Sequence, residues 1–308
     1  MVEKENFFIM SEENEAVDTS CCASCGIAEI DDIKLTECDG CDLVKYCSDD
    51  CMENHKSEHE EACKTREAEL LRDELLFKQP ESSYLGDCPI CSLPLPLDGK
   101  RSVAFTCCSK VICKGCMGNI IMTRTEQARS ECPFCRHVAK TMKEGDKLRM
   151  KRVKVNDPYA MTDYGKSQLS KGFYSRAIDY LTKAAELGSA EAHQSLAQLY
   201  HGGHGVEKDE GKEIYHLEKA AIGGHPHARH NLGAHEYYNG NIERAVKHWI
   251  IAATQGDDRS IETMVKVFKK GYVSKEDLAS ALRAHKAAVD ATKSPQRELE
   301  EKISNFTG

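Results

Sequence analysis

Fifteen cysteines and one histidine stand in paired, evenly spread sets between residues 22 and 135. The first set reads Cys22-x2-Cys25-x12-Cys38-x2-Cys41-x5-Cys47-x3-Cys51-x7-His59-x3-Cys63. The second reads Cys88-x2-Cys91-x15-Cys107-Cys108-x4-Cys113-x2-Cys116-x15-Cys132-x2-Cys135. Sixteen sulfur and nitrogen donors are what four tetrahedral ions require, and zinc accepts such sites without redox chemistry. Of the sixteen cysteines in the chain, Cys21 is the spare. Nothing of this kind follows residue 137, so the front of the chain is built on metal and the back on something else.

A chain of 308 residues has room for two or three domains to position these ligands. No apolar run approaches the roughly 18 residues of a membrane span. Met1–Ser20 holds six acidic residues and one lysine, and Phe7-Phe8-Ile9-Met10 is too short for a secretory signal. The expected setting is therefore the reducing cytoplasm, or the nucleus, where paired cysteines favour metal over disulfides. The formal charge is −8 before metal. Zinc-bound thiolates take it to about −15, which weighs against nucleic acid as a partner.

Composition divides the chain into an acidic disordered tail (1–20), a first metal block (21–63), a helical linker (64–84), a second metal block (85–138), a basic helical connector (139–157), a repeat region with a C-terminal cap (158–292) and a tail (293–308). Glu61 to Phe77 reads as a helix, ended by Gln79-Pro80-Glu81-Ser82-Ser83. In the repeat region, Ala184-Ala185-Glu186-Leu187-Gly188, Ala220-Ala221-Ile222-Gly223-Gly224 and Ala252-Ala253-Thr254-Gln255-Gly256 are one phrase spaced by 36 and 32 residues. Ala160, Ala192, Ala228 and Ser260 form an earlier column. Two amphipathic helices per unit follow, with the phrase glycine closing the second and a longer inter-helix turn at residues 202–208. The fold class is thus two small zinc-stabilised α+β modules followed by an all-α helical-repeat solenoid.

The repeat columns resemble Sel-one-like repeats, helical-hairpin relatives of tetratricopeptide repeats. The first cysteine set resembles a MYND zinc finger, whose Tyr46-Cys47-Ser48-x2-Cys51 core and His59-x3-Cys63 finish it shares. That resemblance implies one ion on Cys22, Cys25, Cys47 and Cys51 and another on Cys38, Cys41, His59 and Cys63. Peptide-binding members use a glutamine and a tryptophan where this chain has Met52 and Lys56, so proline-rich peptide binding does not carry over. The second set resembles a RING finger in an all-cysteine form. Its cross-brace implies one ion on Cys88, Cys91, Cys113 and Cys116 and another on Cys107, Cys108, Cys132 and Cys135. The adjacent pair Cys107-Cys108 departs from the family and needs a local kink, with His137 as the reserve ligand.

RING modules act as ubiquitin ligases by holding a charged ubiquitin-conjugating enzyme, and the resemblance implies contact residues at Ile90 and Pro133 and a linchpin at Arg136. Ile120 or Ile121 would line the groove. The leading expectation is a RING-type ubiquitin-protein ligase whose conjugating enzyme docks on the second block while the repeats take protein substrate. The alternative is a non-catalytic zinc-finger scaffold that joins protein partners. RNA contact through Lys147, Arg149, Lys151 and Arg152 is a third reading, against a solvated helix face. His201, His204, His216, His225, His227, His230 and His235 read as loop histidines rather than a further metal centre.

Overall fold

The computed structural model describes residues 21–30, 32–125, 131–138 and 141–307, gathered into two compact units, Met1–Leu75 and Leu76–Gly308. The acidic segment 1–20 lies outside the described residues, as do 139–140 at the head of the connector and Gly308.

In the first unit the apolar core is thin. Cys22, Cys41, Val44 and Tyr46 are its buried members, with Leu35, Leu43 and Met52 around them. Strands β1 (Thr36–Glu37) and β2 (Lys45–Tyr46) pair antiparallel, and α1 (Asp49–Phe77) follows. The helix begins well before the Glu61 start expected from sequence, because Asp49 and Asp50 suit the positive end of its dipole. Cys51, His59 and Cys63 are therefore helical residues, and the last two, four apart, share a face. The Arg66 guanidinium grips Asp42 at 2.6 and 2.7 Å, fastening α1 to the turn before β2. That contact also holds the Asp42 carboxyl below its ordinary range.

The second unit contains the other cysteine block, the connector and the repeats. Strands β3 (Ser102–Phe105) and β4 (Lys110–Cys113) form a hairpin in the register Ser102↔Cys113. Helix α2 (Lys114–Thr123) starts on Cys113, whose sulfur caps the first turn by accepting from the Cys116 N–H. Helix α3 (Met142–Lys154) is the basic connector, and its arginines are paired, Arg149 with Asp146 and Asp163 and Arg152 with Asp157. Such pairing spends the two arginine charges of the patch named for RNA contact, while Lys147 and Lys151 stay exposed.

The repeats comprise α4 (Pro158–Leu169), α5 (Tyr174–Glu186), α6 (Ala190–Gly202), α7 (Glu210–Ile222), α8 (Pro226–Tyr238), α9 (Ile242–Thr254), α10 (Asp258–Phe268) and α11 (Lys275–Ala291). Side chains of Asp157, Ser189, His225 and Asp257 cap the first helix of successive units, each accepting from the N–H three residues on. Those N–H groups belong to Ala160, Ala192, Ala228 and Ser260, the small-residue column of the sequence. The phrase glycines Gly188, Gly224 and Gly256 sit at φ +86, +81 and +88, the left-handed stop that lets each second helix end. Trp249 fills the third unit and donates to the His230 carbonyl at 3.2 Å. A Cβ on Gly233 would lie 2.5 Å from its indole nitrogen, so the indole needs glycine there.

Residues 293–308, read as a tail from sequence, hold a further helix, α12 (Pro295–Thr307), which packs on α2. Ser294 starts it by accepting from the Arg297 N–H at 3.3 Å, and Pro295 suits its first turn. No helix among the described residues is long and apolar enough to cross a membrane.

Candidate metal centres

Short knuckles bring the ligands together. Gly26, Ser92 and Arg136, each directly after the second cysteine of a C-x2-C pair, lie at φ +76, +54 and +56. Their N–H groups turn back to the carbonyls of Cys22, Cys88 and Cys132 at 2.8, 2.8 and 2.9 Å. The kink required at Cys107-Cys108 is made the same way. Ser109 sits at φ +57 and donates to the Phe105 carbonyl at 2.8 Å, turning both sulfurs to one side.

The ligand atoms fall into four quartets, each with all atoms within 4.8 Å of one another: Cys22, Cys25, Cys47 and Cys51; Cys38, Cys41, His59 and Cys63; Cys88, Cys91, Cys113 and Cys116; Cys107, Cys108, Cys132 and Cys135. Within them Cys25–Cys47 sulfurs are 3.5 Å apart, Cys38–Cys63 3.6 Å, Cys91–Cys113 3.9 Å and Cys108–Cys132 3.6 Å. Tetrahedral zinc with sulfur at about 2.3 Å sets ligand–ligand edges of about 3.8 Å, so the donor set and its spacing fit that ion. None of the sixteen cysteines is in a disulfide. His137 is exposed and outside the fourth quartet, while Cys21 joins Ala28 in a backbone bridge outside the first.

Electrostatics point the same way. Burial works to raise the Cys22 thiol, but the Cys25 and Cys47 backbone N–H groups outweigh it and bring it down to about 6. Its neighbour Cys47 is pushed up to about 12, first by sharing hydrogens with Cys25 and Cys51. Cys88 likewise falls to about 7 against burial, through the Cys113 and Cys91 N–H groups, while burial and Cys113 raise Cys116. Close sulfurs resist a second negative charge, and a divalent cation removes that conflict.

Second-sphere contacts orient these ligands. Tyr46 hydroxyl meets His55 Nδ1 at 3.1 Å, and the His55 ring stacks on His59 at 5.8 Å, which fixes the imidazole ligand. Arg297 on α12, 3% exposed, sends one amino group to the Cys91 sulfur at 3.3 Å and the other to the Pro94 carbonyl at 2.7 Å. The sequence reading did not find it, since it lies about two hundred positions from its sulfur.

Of the expected conjugating-enzyme contacts, Ile90 is 45% exposed, Pro133 is half-buried and Arg136 is exposed. Ile120 is 7% exposed inside the core of the block, so Ile121, at 44%, is the residue left to line a groove. Met52 is half-buried and Lys56 is exposed beside Glu53.

The MYND finger family model matches residues 22–63, and the Sel1 repeat model matches 159–189, 190–225 and 226–257. The chain carries a MYND finger and three Sel1 repeats. The second cysteine block lies outside both spans. Among solved structures, the chain is similar to a Sel1 repeat protein from Oxalobacter formigenes at 26% identity and TM-score 0.44, covering 51% of this chain and 67% of that one. It is also similar to a protective antigen of uropathogenic Escherichia coli with an SLR fold, at 22% identity and TM-score 0.38, covering 56% and 38%. A third is an immunity protein of Pseudomonas aeruginosa, at 23% and 0.35, covering 50% and 60%. Comparison with curated proteins gives no match.

Proposed function

We propose that the protein is a zinc-dependent interaction scaffold of the reducing cytoplasm or nucleus, in which metal fixes two small binding modules and the Sel1 repeats hold a protein partner. The carrying observation is where reactive and sticky groups lie. Fifteen of sixteen cysteines sit in ligand quartets, leaving Cys21 beside one of them. The repeats meanwhile present large aromatics to solvent, among them Phe173, Tyr215, Tyr272 and, at 85%, Tyr238. A MYND finger and Sel1 repeats are both interaction modules, which supports the same reading. Purified full-length protein should form a stoichiometric complex with a partner identified by cross-linking, weakened by Tyr215→Ala or Tyr238→Ala and unchanged by Arg136→Ala. Loss with Arg136→Ala alone would reject the scaffold.

A second reading, ubiquitin ligase, is favoured by one feature: exposed Ile90 and Arg136 stand on the two knuckles that bracket the second block. Such a ligase supplies no nucleophile and acts by restricting the thioester. Zinc-loaded protein incubated with charged conjugating enzymes would then build ubiquitin products that Ile90→Ala and Arg136→Ala abolish. Absence of product across a broad enzyme panel removes this reading.

A further inference from the structure

Between α3, the end of α4 and the start of α5 lies a cavity of about 250 Å³. A gap left by imperfect packing would be lined by apolar groups; this one is lined largely by polar ones. Gln168 opens on it at 4% exposure, and its side-chain amide has no hydrogen-bond partner among the described residues. The main chain of the same residue sets the turn alongside. The Gln168 carbonyl accepts from the Lys171 and Phe173 N–H groups at 3.1 and 3.0 Å. An amide, an ammonium and an aromatic ring are thereby fixed to one turn at the cavity wall. Arg176, in the first turn of α5, holds its guanidinium over the Phe173 ring at 5.8 Å.

Charge decides what such a cavity takes. Three cations line it, Arg149, Lys171 and Arg176, against one carboxylate, Asp146. Arg149 is already engaged by Asp146 and by Asp163. Lys171 and Arg176 have no carboxylate partner among the described residues, so the balance stays positive even with Asp163 counted. Helix α5 adds to it, because no side chain caps its start at Phe173 and its first N–H groups lack a side-chain acceptor. A buried amide without a partner costs stability until an acceptor arrives. The acceptor that suits two unpaired cations and an amide is small, anionic and rich in oxygen. A phosphoryl group has three acceptor oxygens and about 1.5 to 2 negative charges, and a guanidinium fork can engage it through two bonds. Drug-sized ligands occupy about 300–1,000 Å³, so this cavity admits little more than that group and the short side chain bearing it.

We propose that this cavity is a phosphomonoester site, which takes a phosphorylated serine or threonine of the partner protein. The phosphoryl oxygens meet Lys171, Arg176 and the Gln168 amide, and the Asp146 carboxylate stays with Arg149. The proposal rests on the scaffold reading and deepens it. Where the basic connector joins the first repeat, the scaffold distinguishes a modified partner from an unmodified one.

The test uses full-length, zinc-loaded protein and a fluorescent pool of random-sequence peptides, each with a central phosphoserine. Anisotropy should show saturable binding at least ten-fold tighter than for the same pool with glutamate at the centre. Arg176→Ala and Lys171→Ala, at exposed positions, should each weaken it several-fold. Gln168→Leu should do the same with helical signal unchanged, and Lys147→Ala, outside the cavity, should leave binding as it was. Absence of saturable binding overturns the proposal, as does equal affinity for the glutamate pool. So does inorganic phosphate binding as tightly as the phosphoserine pool, since the site would then take the free ion rather than a protein side chain. Tyr215 and Tyr238 lie on other helices, so failure here leaves their variants as an independent test of the scaffold.

Discussion

Residues 22–63 and residues 158–292 reach ordered structure by opposite routes. The finger buries Val44 and Tyr46 and little else that is apolar apart from its ligands. Each repeat buries an aliphatic or aromatic stripe, as with Leu181, Leu196, Leu217 and Trp249. In the finger the ordering free energy comes from the ion, because a segment this short cannot build a sufficient core. In the repeats it comes from neighbour stacking, so metal is irrelevant to them. Order that depends on a ligand and order that does not are thereby joined in one chain.

Chelation separates the two most sharply. With strong chelator, amides of residues 22–63 should exchange at unfolded rates, since structural zinc supplies on the order of 10 kcal/mol to such modules. Amides of α4 to α10 should stay protected, read by hydrogen-exchange mass spectrometry. Protection of both regions would mean the finger folds on its own. The converse perturbation is Trp249→Ala, a large-to-small change at a buried site worth about 3–5 kcal/mol. It should lower the melting of the repeats while native mass spectrometry still counts four zinc ions.

Between these extremes stands the second cysteine block, which has both metal and a partner helix. Arg297→Ala removes the guanidinium from the Cys91 sulfur and the Pro94 carbonyl. Loss of a second-sphere contact typically costs about 10-fold or more in metal affinity. Zinc transfer to a colorimetric chelator should therefore quicken for one ion of four. Gly115→Val should do likewise, because a Cβ there meets the Arg297 backbone nitrogen at 2.7 Å and unseats α12. Unchanged release in both variants would make α12 an ornament on the block.

What the sequence disclosed follows how local each signal is. Ligand sets were legible because knuckles repeat over a few residues, and Sel1-type units because Ala160, Ala192 and Ala228 recur in column. The start of α1 at Asp49 was hidden by the ligands Cys51 and His59, read as a metal block rather than as helix. For α12 the signal was present, Ser294-Pro295, a helix start inside a segment read as tail. Arg297 on Cys91 and Tyr84 on His225 carried no signal at all. Each joins positions far apart in the chain, and only the folded path of the backbone brings them together.

The smallest effect tests whether the repeats are as indifferent to conditions as their stacking implies. His193 on α6 and His216 on α7 meet nitrogen to nitrogen at 2.9 Å, with Tyr200, Tyr215 and Lys219 about them. Burial, then the opposing His193, lowers His216 to about 4, and burial with Lys219 lowers His193. Both folded values lie below the ordinary imidazole value of about 6.5, so the unfolded chain takes up protons first as pH falls. The neutral pair's stabilisation is therefore full above about 6.5 and drains away as pH falls toward 4. Thermal melts of the helical signal should show the repeats losing stability across that window, and His216→Gln should flatten the slope. An equal slope in the variant would take the acid sensitivity away from this pair and assign it to the other repeat imidazoles that burial holds low, His227 and His230.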